Sequence, residues 1–321
     1  MGLSSDATGF IGLGAMGLPM AQQLVANVPA TTRLYVFDIA DQVMNDFVAM
    51  YPHKAVARKS PRDVAEHSNT IITIVPEGSH VRAVYLNEST GICSTALDKK
   101  LLIDCSTIDT ATSLAVKAHI TTNHPCASFY DAPVSGGVLG AQKGAIAFFL
   151  GCAKTDPNLH LLTDTLRLMG KEVIPCGGPS LGLSAKLCNN YLSGLIAIAN
   201  SEALNIGMRA GLDPRVLSSV FAAGTAQNAI CDRFNPCPGV VPDAPSSNDY
   251  KTGFKIQLMR KDFALAVAMA EQVGARLVLG EAGLKTYEEA SDDPRCKDRD
   301  SRVVFRFLGG DESWAEKSLA E

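Results

Sequence analysis

The first half of the chain alternates short β-rich apolar runs with stretches of helical periodicity, and this alternation restricts the fold more than any other feature. The runs are Gly9 to Leu13, Leu34 to Asp38, Thr70 to Val75, Leu101 to Cys105, Ser128 to Asp131, Ile146 to Leu150 and Val173 to Cys176. Strands separated by helices need crossover connections, so the expected architecture is α/β: a doubly wound, mostly parallel sheet of Rossmann type. Ile71-Ile72-Thr73-Ile74-Val75 is apolar at successive positions, which suits a strand buried on both faces at the sheet's centre.

After Cys176-Gly177-Gly178-Pro179 the pattern turns helical, and no further run of comparable β character follows. Gly211 suits the end of one helix, and Asp213-Pro214 suits the start of another, running through Phe221. A polar, proline-rich connector spans Asn235 to Asn248, and helical periodicity resumes over Phe254 to Val273 and Leu277 to Ala290. The expected organisation is an α/β domain over residues 1–178 and an all-helical domain over 179–321. A length of 321 residues with 46% hydrophobic content is enough to fill two cores.

Composition narrows the partners. The formal net charge is −4 with no block of like charges, which favours small-molecule chemistry over nucleic acid or an anionic membrane. No apolar run approaches the roughly 18 residues that span a bilayer. Nine cysteines fall in no C-x-x-C pair and no Cys/His ligand spacing, so neither a disulfide framework nor a metal site is expected, and the thiols read as reduced and intracellular. Met1 to Asp6 leads into a strand too soon for a signal peptide, and Asp6 stands where a myristoylation motif beginning at Gly2 wants Ser or Thr. The cytosol is the expected location, or the mitochondrial matrix if a presequence has been removed.

Gly12-Leu13-Gly14-Ala15-Met16-Gly17 ends the first strand and opens a helix, the context that a G-x-G-x-x-G dinucleotide signal requires. Gly12 serves the tight turn, Gly14 the approach of the pyrophosphate and Gly17 the helix-to-strand packing, while the helix N-terminus attracts phosphate charge. Asp38 ends the second strand, roughly 20 residues beyond Gly17, where a carboxylate can accept hydrogen bonds from the adenosine ribose hydroxyls and repel a 2′-phosphate. Ile39-Ala40-Asp41 supplies no arginine for that phosphate, so NAD is the expected cofactor. A glycine-rich turn and a surface Asp in a strand-end turn are the bland alternatives.

Ser184-Ala185-Lys186-Leu187-Cys188-Asn189-Asn190 begins a long helix with an apolar stripe at Leu187, Tyr191, Leu195 and Ile198. Lys186 and Asn190 are four residues apart and share a face. In a cleft between the domains, near a helix N-terminus, an ammonium is disfavoured, which makes this lysine able to shuttle a proton. The alternative is a solvated helix lysine.

Five segments resemble the β-hydroxyacid dehydrogenase family in order: Gly9 to Gly17, Asp104-Cys105-Ser106-Thr107, Asp131-Ala132-Pro133-Val134-Ser135-Gly136-Gly137, Ala185 to Asn190, and Leu258-Met259-Arg260-Lys261-Asp262. Asn235 to Gly239 and Asp300 to Phe305 resemble its 3-hydroxyisobutyrate dehydrogenases more narrowly. The resemblance implies that Lys186 transfers the proton, that Ser135, Gly136 and Gly137 hold the substrate carboxylate, and that Asn189 and Asn190 contact substrate. Glycine pairs leave backbone N–H groups accessible to anions, although Ser-Gly-Gly alone is usually a turn. Leu13, Ala15 and Met16 would join Gly12, Gly14 and Asp38 on the cofactor. Val75, Pro76, His80 and Thr107 would contact its nicotinamide half, and Lys261 would close over the cleft. His80 reads equally well as an exposed histidine at a helix start.

Two departures matter. Ser180-Leu181-Gly182 stands where the family has Gly-x-Gly, and Ala222 to Gln227 replaces a Ser-Ser-Gly-Arg-Cys-Trp-like stretch, near where the substrate's distal group should sit. The expected reaction is reversible oxidation of a β-hydroxyacid with hydride transfer to NAD. A semialdehyde or imine reductase on the same scaffold is one rival, and a non-catalytic cofactor-binding scaffold is another; the presence of Lys186 counts against imine reduction. By the same resemblance, the helical domain is expected to pair subunits in a homodimer or homotetramer.

Overall fold

The computed structural model describes residues 7–317, so the readings at Gly2 and Asp6 lie outside the described residues. The chain divides into two compact units, Met1–Lys186 and Leu187–Glu321.

In the first unit six strands, β1 (Ala7–Ile11), β2 (Arg33–Phe37), β3 (Ala55–Ala57), β4 (Thr70–Thr73), β5 (Leu101–Asp104) and β6 (Ser128–Asp131), form a parallel sheet in the order β3-β2-β1-β4-β5-β6. Successive side chains of a strand point to opposite faces, and both faces are dry. Phe10, Ile72 and Ile103 pack with Met20 and Leu24 of the helix Gly17–Asn27. Ile11, Ile71 and Leu102 pack with Val81 and Tyr85 of the helix Gly78–Leu86 and Val116 and Ile120 of the helix Thr110–Asn123. This is the doubly wound arrangement, and its strand order reverses between β1 and β4, the place where such sheets open a crevice at their carboxyl ends.

The later strands depart from the single sheet expected. β7 (Val134–Ser135), β8 (Ile146–Leu150) and β9 (Gly170–Pro175) form a separate three-stranded sheet, antiparallel between β7 and β8 and parallel between β8 and β9. Two strands, β3 and β7, have no counterpart in the sequence reading, because three and two residues are too few to display a period.

In the second unit the regular secondary structure of the described residues is helical apart from an isolated bridge between Lys255 and Asp300. The helix Leu181–Arg209 carries the last residues of the first unit and the first of the second. Its Gly194 lies against the helices Ile256–Gln272 and Gly280–Asp292: a Cβ there would sit 3.0 Å from Phe263, and the Tyr287 hydroxyl donates to the Gly194 carbonyl at 2.8 Å. The proline-rich connector is braced from within, Asn235 accepting from the Cys237 N–H and Tyr250 donating to the Pro236 carbonyl. Asp300 accepts from the Phe254 and Arg302 N–H groups. The two segments that looked most specific to the 3-hydroxyisobutyrate dehydrogenases thus serve packing.

Candidate active site

The loop between β1 and its helix is built by sterics. Gly12 has φ +96°, and a Cβ there would strike the Ile74 carbonyl; one at Gly17 would strike the Gly12 carbonyl. A Cβ at Gly14 would meet nothing within 4 Å, so Gly14 is the open point of the loop, as a group that lets pyrophosphate approach must be. Ala15 is exposed and Met16 half-buried in helical conformation, while Leu13 is buried and donates its N–H to Asp38 Oδ2 at 2.6 Å. Asp38 Oδ1 accepts from the Ala40 N–H at 2.8 Å. An ionised carboxylate has about four acceptor sites, so Asp38 braces the glycine loop and still has capacity for ribose hydroxyls. The residues present fit a dinucleotide.

The neighbouring strand ends are joined by a buried polar cluster. Asp104, fully buried at the end of β5, accepts from Thr73 Oγ1 and Ser106 Oγ, each at 2.7 Å, and Ser106 Oγ in turn accepts from the Val75 N–H at 2.9 Å. Tyr85 reaches the same Thr73 hydroxyl at 3.0 Å. Burial pushes the Asp104 carboxyl up to about 6, against the opposing hydrogen bonds from Ser106 and Thr73. The loops carrying Val75, exposed Pro76 and half-buried Thr107 are therefore held together by one carboxylate. His80 is exposed in the first turn of the helix Gly78–Leu86.

Ser135 lies on β7 opposite Ala147, and Gly136 and Gly137 follow with φ +134° and +65°. Gly137 begins the short helix Gly137–Gln142, and a Cβ on it would meet nothing within 4 Å. The glycine pair thus turns the chain where a side chain would be strained and leaves its main chain approachable.

Lys186 is buried, 7% exposed, in the second turn of the helix Leu181–Arg209. That helix starts at a fixed point because Asp131, at the end of β6, accepts from the Ser180 N–H at 2.7 Å and the Leu183 N–H at 2.9 Å. Asp131 does from a distant strand what a helix-capping side chain does locally. Burial raises its carboxyl above the usual range, and those two N–H groups oppose the rise. Gly182 is needed here: a Cβ would meet the Phe149 carbonyl and sit 2.8 Å from Asp131 Oδ2. Ser180 has φ +63°, a left-handed conformation that favours glycine, which gives a physical reason for the glycine expected at this position.

In the second unit Asn190, also buried, donates Nδ2 to Asp262 Oδ2 at 2.6 Å, and exposed Asn189 donates to Asn190 Oδ1 at 3.0 Å. Lys261 Nζ lies 3.1 Å from Asp262 Oδ1. Asp262 is therefore the common partner of the carboxamide and the late lysine. Apart from this group, a largely apolar pocket of about 300 Å³ is lined by Ile196, Ala199, Ala203, Phe221 and Ala226 together with Asn200 and Asn228. It includes part of the departing stretch and offers no titratable group.

Comparison with known proteins shows the family. Residues 7–178 match the NAD-binding domain of 6-phosphogluconate dehydrogenase, and 181–308 match a domain described as NAD-binding of NADP-dependent 3-hydroxyisobutyrate dehydrogenase. A probable mitochondrial 3-hydroxyisobutyrate dehydrogenase of Dictyostelium discoideum is 38% identical over 95% of this chain and 91% of its own. The chain belongs to the β-hydroxyacid dehydrogenase family. It is an NAD-dependent oxidoreductase acting on the CH–OH group of hydroxyacids. Other family members include an NAD-dependent L-serine dehydrogenase of Pseudomonas aeruginosa, 34% identical over 87% of this chain and 90% of its own. A Mycobacterium tuberculosis 3-hydroxyisobutyrate dehydrogenase with L-serine superposes with a TM-score of 0.84 at 32% identity, covering 94% of this chain and 98% of that one.

Sequence reasoning quoted Asp104, Asp131 and Asp262 as family pattern but gave them no work. A signal was present: Asp104 and Asp131 each close a strand otherwise made for burial, and a buried carboxylate must find donors.

Proposed function

We propose that this enzyme interconverts a β-hydroxyacid of the 3-hydroxyisobutyrate type and its semialdehyde, with Lys186 as the proton carrier. The observation that carries the reading is a buried lysine on a helix whose first turn is clamped by Asp131. NAD, when bound, supplies the hydride acceptor. Lys186 Nζ takes the alcohol proton in oxidation and returns it in reduction. Ser135, Gly136 and Gly137 fix the substrate carboxylate, and Asn190, oriented by Asp262, positions the substrate with Asn189 beside it. Gly12, Leu13, Gly14, Ala15, Met16 and Asp38 hold the adenosine and pyrophosphate half of the cofactor. Val75, Pro76, His80, Thr107 and Lys261 serve the rest. Asp38 favours NAD over NADP by repelling a 2′-phosphate.

The relative named as an L-serine dehydrogenase and the solved 3-hydroxyisobutyrate dehydrogenase with L-serine support a second reading, oxidation of a β-hydroxy amino acid. NADH production with 3-hydroxyisobutyrate, 3-hydroxypropionate, L-serine, glycerate and 4-hydroxybutyrate separates the two. The first reading expects the highest kcat/KM with 3-hydroxyisobutyrate; preference for L-serine replaces it with the second, and no turnover of any acid contradicts both.

Assembly as a homodimer or homotetramer is part of the proposal. Leu192 and Ile206 on the helix Leu181–Arg209 and Val216 and Val220 on the helix Pro214–Ala223 are more than half exposed, an apolar surface suited to a second copy. Light scattering on the purified protein tests it. Among the described residues no helix is long and apolar enough to cross a membrane. The proposed compartment is the cytosol, with the mitochondrial matrix the alternative favoured by the names of relatives.

A further inference from the structure

Cys93, His119 and His124 come together, and none of the three is among the candidate catalytic, substrate or cofactor residues named above. A thiol sulfur and one ring nitrogen from each histidine lie within 4.8 Å of one another. Cys93 sits in the 3-10 turn Ile92–Ser94, His119 in the last turns of the helix Thr110–Asn123, and His124 at that helix's C-cap. Among the described residues this is the one group of three or more Cys, His, Asp or Glu side chains so arranged. It escaped the sequence reading because no short spacing links Cys93 to the histidines; the fold of β5 and its helix brings them together.

The donor set selects the ligand. One sulfur and two imidazoles without a carboxylate do not suit magnesium or calcium, which take oxygen ligands. They suit zinc, for which Cys and His are the ordinary ligands, with water completing a tetrahedron when the protein offers three. Tetrahedral zinc with bonds of about 2.0–2.3 Å places its ligand atoms about 3.5 Å apart. The cluster must contract by about 1 Å, and exposed His119 can supply that by a change of rotamer.

Two further features favour a cation here. The carbonyl end of a helix carries partial negative charge, and His119 and His124 stand at that end of a 14-residue helix. His124 Nε2 lies 3.1 Å from the Cys93 carbonyl oxygen. When Nε2–H donates to that carbonyl, Nδ1 is the nitrogen with a free lone pair, and a backbone carbonyl behind the ring is the usual support of a metal-bound histidine.

We propose that Cys93, His119 and His124 form a zinc site that clips the Ile92–Ser94 turn to the end of the helix Thr110–Asn123. The site uses none of the candidate catalytic or cofactor residues and does not depend on the functional reading.

The test uses the full chain, stripped with chelator and titrated with zinc chloride by calorimetry, with cobalt(II) as the spectroscopic substitute. One equivalent of zinc is expected to bind, to raise the thermal midpoint with concentration, and to give with cobalt a thiolate-to-metal charge-transfer band. Cys93→Ser should abolish the band. His119→Ala, at an exposed position that leaves folding intact, should weaken zinc binding by more than about tenfold, since even outer-shell partners contribute about 10- to 100-fold. Absence of saturable zinc binding overturns the proposal. So does equal affinity in the wild type, Cys93→Ser and His119→Ala, which would place any bound zinc elsewhere.

Discussion

The two units carry their candidate functional groups by different means. In Met1–Lys186 most of them are main-chain positions fixed by sterics: Gly12 and Gly17 admit no Cβ, Gly14 stands open, and Asp38 ties the loop to the next strand. In Leu187–Glu321 they are side chains held by other side chains: Asn190 depends on Asp262, and Asp262 also meets Lys261. A cofactor site written in backbone tolerates few changes and keeps its chemistry. Groups held by side chains from separate helices can change while the scaffold stays intact, and the altered stretch Ala222 to Gln227 lies in that unit.

Gly12→Ala should be the most damaging test of this contrast, because it adds a clash with the Ile74 carbonyl to a φ of +96°. It is expected to abolish measurable NAD binding and to lower stability by several kcal/mol, about the cost of a strained, overpacked residue. Gly14→Ala should separate fold from binding: melting stays at the wild-type temperature while NAD affinity, read by fluorescence quenching, falls about tenfold, or about 1.4 kcal/mol. Equal melting losses in both variants would break the distinction.

Asp262→Ala tests the side-chain half. It removes the acceptor that orients Asn190 and the carboxylate beside Lys261, so kcat should fall about tenfold with a smaller loss of NAD affinity through Lys261; a loss of NAD affinity as large as the loss of turnover would move Asp262 to the cofactor side.

A smaller effect is expected from pH. The folded-state value of Asp104 is raised from 3.8 to about 6 by burial, so this group's contribution to stability is complete below about pH 4 and is lost as pH rises through about 6. Urea denaturation across that window should show this loss in the wild type and its absence in Asp104→Asn. An unchanged pH dependence would mean that the carboxyl is not buried in the folded state. Least of all, Ser180→Gly relieves a left-handed residue and should raise stability by at most about 1 kcal/mol, with turnover unaltered; a loss would mean that the serine hydroxyl, 3.3 Å from the Thr110 carbonyl, matters more than the strain.

The same contrast explains what was legible in advance. Ser128 to Asp131 and Ile146 to Leu150 were bounded as observed because apolar runs between turn residues are local signals. The division into two sheets was not legible, since β7 is two residues long and sits inside the Pro133 to Gly137 motif. Gly12, Gly14 and Gly17 could be read from spacing because the turn they form is local, Gly17 lying against the Gly12 carbonyl, whereas the contact of Gly12 with the Ile74 carbonyl could not. The links from Asp104 to Thr73 and from Asp131 to Ser180 span 31 and 49 positions, and Asn190 to Asp262 spans 72, so only folding joins them. Lys186 could be placed on a helix from sequence, but the clamp on that helix could not.

The central claim is that Lys186 moves the proton while other groups hold the cofactor. Its most direct test is Lys186→Ala, measured for kcat with the best hydroxyacid and for NAD dissociation by fluorescence quenching. General acid–base groups contribute about 10²- to 10⁴-fold, so turnover should fall in that range, the rise of the oxidation rate toward alkaline pH should vanish, and NAD affinity should change less than about twofold, or about 0.4 kcal/mol. Near-wild-type turnover in the alanine variant, or a turnover loss matched by an equal loss of NAD binding, would contradict the claim.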